Sequence, residues 1–182
     1  LLLDPEERMV FHHPPLPPVE ELESLGRPND AFDARHYDLA LTVDPAAHTI
    51  EGTATLTVEC LSSTGTLEVD LVGLDVDQVT VDGLFASFVQ TGTGLEIDGS
   101  FSTGDVVDVA ITYGGVPELA HDYLGFNFTP AVAFTFTEPD GSAYWFPCFD
   151  DPSDKATVRL AITAPDDLDV ARNGPKTGES ML

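Results

Sequence analysis

Between Phe134 and Leu160 the chain gathers residues that a plain sheet does not need: its only tryptophan (Trp145), one of its two cysteines (Cys148), three prolines and five acidic side chains. Proline removes backbone freedom at Pro139, Pro147 and Pro152. The run Tyr144-Trp145-Phe146-Pro147-Cys148-Phe149-Asp150-Asp151-Pro152 therefore reads as a rigid aromatic loop. Rigid loops on a β scaffold are where binding groups are commonly placed. Just upstream, Glu138 precedes Pro139-Asp140-Gly141, and by composition alone it is a turn residue.

No recognisable catalytic motif accompanies this segment. H-E-x-x-H, the P-loop, G-x-S-x-G and a Gly-rich dinucleotide turn are all missing from the sequence. The histidines at 12, 13, 36, 48 and 121 are scattered, and none has zinc-ligand spacing. His36 and His48 could approach each other across a first hairpin, although solvated strand-end histidines are the simpler reading. His12-His13 stands beside four prolines, which points to an exposed linker before a metal pair. Asp75, Asp77 and Asp82-Gly83 lack the spacing and closing Glu of a calcium loop, and Val76, Val79 and Val81 run through them as a strand. Cys60 falls on the apolar side of a strand, so a buried free thiol is expected, with a Cys60–Cys148 bridge as the alternative. No catalytic residue and no metal ligand is expected in this chain.

The elements that must position the loop are short strands. Tyr37, Leu39, Leu41 and Val43 alternate with polar or small residues, and Asp44-Pro45-Ala46-Ala47-His48 supplies a turn. Ile50, Gly52, Ala54, Leu56, Val58 and Cys60 follow on one face, with Glu51, Thr53, Thr55, Thr57 and Glu59 on the other. This is a half-buried hairpin. Further strands are expected at 67–71, 76–81, 85–89, 95–97, 107–113 and 155–163, punctuated by glycines. In the last of these, Ala156, Val158, Leu160 and Ile162 share one face. The fold class that follows is all-β, an antiparallel sandwich or curved sheet with little helix. Residues 1–30, with Pro14-Pro15-Leu16-Pro17-Pro18 and a turn or two of helix over 19–25, read as a Pro-rich arm, and 31–182 as the β domain.

Thirty-two acidic residues against seven basic ones give a net charge of −25, and no Lys or Arg lies between Arg35 and Lys155. Such a surface repels phosphate backbones and anionic headgroups, so nucleic acid is not an expected partner. No apolar run is long enough for a membrane span. Leu1-Leu2-Leu3, with no initiating Met, fits either the tail of a signal peptide or a shortened chain; the compartment stays open, with an extracytoplasmic one weakly favoured.

The string Tyr144 to Pro152, followed by Asp154-Lys155-Ala156-Thr157, resembles the signature near the end of the N-terminal domain of the aminopeptidase N family, zinc metallo-aminopeptidases of the gluzincin type. Ile50-Glu51-Gly52-Thr53-Ala54 resembles the family's opening hairpin, and Asn173-Gly174 its continuation. The likeness runs from about Phe32 to Asn173 and is loose between Glu59 and Gly125. It implies a saddle-like β domain packed against a downstream thermolysin-like catalytic domain that holds the zinc and the catalytic base. It also implies that Glu138, placed by its spacing from Pro147, holds the free amino group of a peptide substrate. The chain is then expected to be truncated at its C-terminal end, inactive alone, and to expose an unpaired sheet edge and an uncovered docking face. Where the family usually carries Arg five positions after the anchor, this sequence has Ala143. That departure keeps a catalytically dead relative open as an alternative, beside a stand-alone β-sandwich interaction module.

Overall fold

Six strands assemble into the larger of two main sheets. The structure is a computed structural model that describes residues 30–121, 123–129, 132–166, 168–171, 175 and 178, together with the backbone of 2–3 and 9–10. At the start, β1 (Leu2–Leu3) pairs antiparallel with β2 (Met9–Val10). The rest of the Pro-rich arm lies outside the described residues, including His12, His13 and the helical turn expected over 19–25.

β3 (Phe32–Asp44) and β4 (Thr49–Cys60) form the expected hairpin, and β4 continues antiparallel onto β10 (Val106–Gly115). β6 (Asp75–Val81), β7 (Leu84–Phe85) and β13 (Thr157–Thr163) complete a sheet of order β13-β3-β4-β10-β6-β7. β5 (Thr64–Asp70), β9 (Gly94–Phe101) and β8 (Phe88–Gln90) form a second sheet of order β5-β9-β8. The inward residues of both sheets, among them Leu39, Leu56, Val58, Ile111, Leu67 and Ile97, belong to one apolar cluster. The all-β fold class holds.

Two bulges keep that cluster continuous. Ala34 pairs with Val58 and His36 with Thr57, so Arg35 is an extra residue that lets both Ala34 and Tyr37 face inward. On β6, Tyr113 pairs with Val76 and Thr112 with Gln78, which leaves Asp77 as the extra residue. Val76 and Val79, three apart, thereby both pack on the core. At β4, Gly52 lies so close to β3 that a Cβ there would sit 2.4 Å from the Ala40 carbonyl oxygen.

The structure departs from the sequence expectations in four places. β13 pairs with β3 in parallel, Thr157 opposite His36 and Thr163 opposite Thr42, so the large sheet is mixed. Residues 85–89 are not one strand: Phe85 closes β7 on the large sheet, and the chain crosses at Ala86-Ser87 to begin β8 on the small one. An additional hairpin, β11 (Gly125–Phe128) with β12 (Ala133–Phe136), forms where no strand was expected. His36 and His48 do not meet. His36 lies eight residues before the end of β3, roughly 26 Å along the strand from the turn that carries His48.

Those histidines are occupied otherwise. The His36 ring hydrogen-bonds the Thr157 hydroxyl at 2.7 Å, and the His48 ring stacks on Phe128 with centroids 5.2 Å apart. Among the described residues β13 is the terminal strand of the large sheet, and Val158 on it is 59% exposed. Cys60 and Cys148 are both buried and both free, as the thiol reading of Cys60 expected; the bridge does not form.

Candidate functional site

The aromatic loop is held by the end of β5. Asp70 and Cys148 exchange backbone hydrogen bonds of 2.8 and 3.1 Å, an isolated antiparallel bridge that seats the loop on the small sheet. Beyond Asp70, the Val72 N–H donates to the Ala143 carbonyl at 2.9 Å. The Phe149 N–H donates to the Tyr37 hydroxyl of β3 at 3.1 Å, and the Asp150 N–H donates to Asp70 Oδ2 at 3.0 Å. Packing completes the attachment: Phe146 meets Tyr37 edge-on at 5.7 Å, and Phe149 stacks on Phe32 at 6.5 Å. Both sheets therefore contribute to fixing one nine-residue segment, as the prolines suggested.

Upstream, the β11–β12 hairpin brings the chain to Glu138. Asn127, buried within the hairpin, satisfies its amide by donating to the carbonyls of Tyr123 and Gly125 at 2.7 and 3.3 Å. Phe126 packs toward Trp145 at 6.3 Å, joining the hairpin to the loop. After β12, the Gly141 N–H donates to the Thr137 carbonyl at 2.9 Å and closes a turn over Glu138, Pro139 and Asp140, with the Glu138–Pro139 peptide cis. Gly141 is required by its surroundings, since a Cβ would lie 2.7 Å from the Leu124 side chain. A short 3-10 turn over Ser142–Tyr144 then enters the aromatic loop.

Glu138 is exposed at this turn, two residues beyond Phe136. Phe134 and Phe136 lie on one side of β12 at 36% and 47% exposure, and Val132 and Tyr123 nearby in the chain are 54% exposed each. Beneath the turn runs a cleft of about 200 Å³ lined by Tyr37, Pro139, Ser142, Phe146, Asp150 and Val158, among others. A larger, shallow depression of about 650 Å³ lies on the outer face of the large sheet among Thr42, Glu51, Thr53, Asp75, Asp77 and Thr112, and it shares no residue with the aromatic loop. Pro139, the residue after Glu138, lines the smaller cleft, while Glu138 itself is exposed and is not among its lining residues.

Ala143 is fully buried, its N–H donates to Asp150 Oδ2 at 3.0 Å, and its carbonyl is taken by Val72. The turn is braced through the backbone of this residue, with no guanidinium involved. Asp150, only 5% exposed, was not singled out by the sequence beyond its place in the motif. Nothing in periodicity distinguishes a buried carboxylate from its half-buried neighbour Asp151; the nearest signal is its position directly after an aromatic run. Burial pushes the Asp150 carboxyl up to about 6, against the Ala143 amide, which pulls the other way, and with help from Asp70. Asp70 and Asp154 are also shifted upward, burial being the largest cause for each. The Cys148 thiol is driven well up by burial beside these carboxylates, so it is inert as a nucleophile.

These shifts fix a pH dependence. A carboxyl whose folded value is near 6 and whose free value is 3.8 binds its proton more tightly when folded, so stability falls as pH rises through that window and is regained as pH drops. For Asp150 the cost of ionisation at neutral pH is on the order of 2 kcal/mol, discounted for residual solvent contact. Thermal unfolding should therefore give a higher Tm at pH 5 than at pH 7.5. A Tm that falls on this mild acidification would contradict the burial of an ionised Asp150.

Residues 33–182 match the sequence profile of the peptidase M1 N-terminal domain. The chain belongs to this family. Aminopeptidase N of Lactobacillus delbrueckii subsp. lactis is 30% identical to this M1 N-terminal domain over 143 residues, covering 73% of the chain and 16% of that protein. Tricorn protease-interacting factor F2 of Thermoplasma acidophilum is 29% identical over 109 residues, 60% of the chain and 14% of that protein. Among solved structures, the M1 zinc metallopeptidase from Deinococcus radiodurans superposes with a TM-score of 0.80 at 30% identity, over 87% of this chain and 38% of that one. The M1 domain here thus spans between about a tenth and two-fifths of the relatives it matches. Among its described residues no group of three or more His, Cys, Asp or Glu converges to hold a metal ion. No helix among them is long and apolar enough to cross a membrane.

Proposed function

We propose that this chain serves a zinc-dependent aminopeptidase, acting as the domain that captures the substrate's N-terminus through Glu138. The zinc ligands and catalytic base would come from a catalytic domain of the same protein, and this chain would not hydrolyse peptides alone. The observation that supports the reading is an exposed Glu138 on a turn whose next residue, Pro139, lines a cleft, two residues after the exposed Phe136, in an M1 N-terminal domain. Exposed apolar side chains next to a carboxylate are what a docking partner would cover. Solved M1 zinc metallopeptidases similar to this chain, both carrying a Glu-to-Ala substitution, hold a Tyr-Ser-Ala substrate in one case and L-arginine in the other, ligands that share a free α-amino group.

The chemistry follows from the charges. An α-amino group with a pKa near 8 is largely cationic at neutral pH. A carboxylate pairs with it by charge-assisted hydrogen bonds that strengthen once the docked domain excludes water. Holding the amine at a fixed distance from the reacting centre selects the first peptide bond, which is exopeptidase behaviour. The bound zinc would supply the activated water.

The test is a substrate comparison on the full-length protein. An amino-acid p-nitroanilide should be cleaved in a zinc-dependent manner, and its N-acetylated form, which lacks the cationic amine, should be cleaved at least about 100-fold less well by kcat/KM, the loss of a charged hydrogen-bonded pair. Equal cleavage of both forms would rule out amine capture.

A further inference from the structure

Among the described residues only Asn127 and Asp150 are polar and buried, and the Asn127 amide is satisfied within its own hairpin. Asp150 is different in kind. Among the described residues the titratable groups facing its carboxylate are all acidic or neutral: Asp70 from the end of β5, Asp140 from the turn, Tyr37 from β3, and Tyr144 and Cys148 from its own loop. A buried charge in such company is costly to keep, and an apolar or amide residue would fill the space more cheaply. What the carboxylate does is accept the Ala143 N–H at 3.0 Å, while its own N–H is held by Asp70 Oδ2.

The consequence is mechanical. Ala143 is gripped on both sides, its N–H by Asp150 and its carbonyl by Val72. Two residues before it, Gly141 closes the turn onto Thr137 and has no room to shift toward Leu124. One leg of the Glu138 turn is therefore set by the β11–β12 hairpin and the other by Asp150. The geometry points to Asp150 as a positioning residue for Glu138: by holding the Ala143 N–H it fixes the leg of the turn from which Glu138 reaches the substrate amine, an inference that rests on the amine-anchor reading. A displacement of about 1 Å in such a group is enough to degrade binding of the reacting end.

The experiment is a double-mutant cycle in the full-length protein, read by steady-state kinetics on an amino-acid p-nitroanilide. Asp150→Ala should raise KM about tenfold, the effect of one buried charge-assisted hydrogen bond, with kcat changed less. Asp150→Asn, which keeps an acceptor oxygen, should recover most of that loss and leave KM within about threefold of the parent protein. In a Glu138→Ala background, adding either Asp150 variant should change KM less than twofold, because the residue acts through Glu138. The same factor in both backgrounds, or an unchanged KM for Asp150→Ala, would overturn the inference while leaving Glu138 as the anchor. Unchanged kinetics for Glu138→Ala alone would remove the anchor reading and this inference with it. Should Asp150→Ala fail to fold, Asp150→Asn decides: its KM should rise about twofold to threefold and that rise should vanish when Glu138 is absent, whereas an unchanged KM or the same rise in both backgrounds would overturn the inference.

Discussion

Glu138→Ala in the full-length protein is expected to lower kcat/KM for amino-acid anilides by about 10²–10³, because removing one partner of a desolvated charged pair costs about 2–5 kcal/mol. In the structure the carboxylate is exposed, where such a pair would contribute under about 1 kcal/mol. The large effect therefore depends on its becoming covered, and the exposed Phe134 and Phe136 mark the surface a second domain would close over. Glu138→Gln keeps hydrogen bonding without the charge and should fall between the parent and the alanine variant. Zinc content, measured in parallel, should be unchanged in both. Kinetics unaltered in both variants would refute the assignment; a loss of zinc would instead show that the substitution acts on the metal site.

Gly52→Ala is expected to destabilise the protein by about 2–3 kcal/mol, a large effect for the addition of one methyl group. The new Cβ would lie 2.4 Å from the Ala40 carbonyl oxygen and 3.3 Å from the Leu41 Cα. β4 is bonded to β3 on one side and β10 on the other, so neither backbone can retreat without breaking a ladder. Against this stands an entropic benefit of about 0.4–1 kcal/mol from stiffening the unfolded chain, which the figure already includes. Gly92→Ala is the control, since a Cβ there meets nothing within 4 Å. Thermal unfolding should place the Gly52 variant several degrees below the parent and the Gly92 variant within about 2 degrees of it. Equal Tm values for the two would show that β3 and β4 are not as close as described.

How much of this was legible in the sequence depended on whether burial alternated. β3, β4 and β10 announced themselves because each buries every second residue against one core. The β11–β12 hairpin did not. Gly125, Phe126 and Asn127 are buried consecutively, with a polar residue inside, while most of β12 is exposed, so neither strand has a period-two pattern. Residues 85–89 misled for a related reason: hydrophobicity continues across Ala86-Ser87 although the chain is changing sheets there. Strand direction is invisible to periodicity, and β13 looks the same whether it runs parallel or antiparallel to β3. In the candidate site, the family resemblance singled out Glu138, but what holds its turn is the Ala143 backbone, bonded to the Val72 N–H and the Asp150 carboxylate, which residue types do not reveal.

The parallel seating of β13 on β3 sets the order in which the protein can be completed. Thr157 lies opposite His36, 121 positions away, and every other strand of both sheets is synthesised in between. At about 5–20 residues per second, the outer edge of β3 waits for roughly 6–24 s after it leaves the ribosome before its neighbour exists. During that interval the hairpin partner β4 can satisfy only one side of β3, and the other presents Tyr37 to Thr42 as an open template. Such late closure over a long sequence separation slows folding and places the chain's most vulnerable moment during its own synthesis. A nascent chain stalled before residue 157 should be the species that chaperones capture.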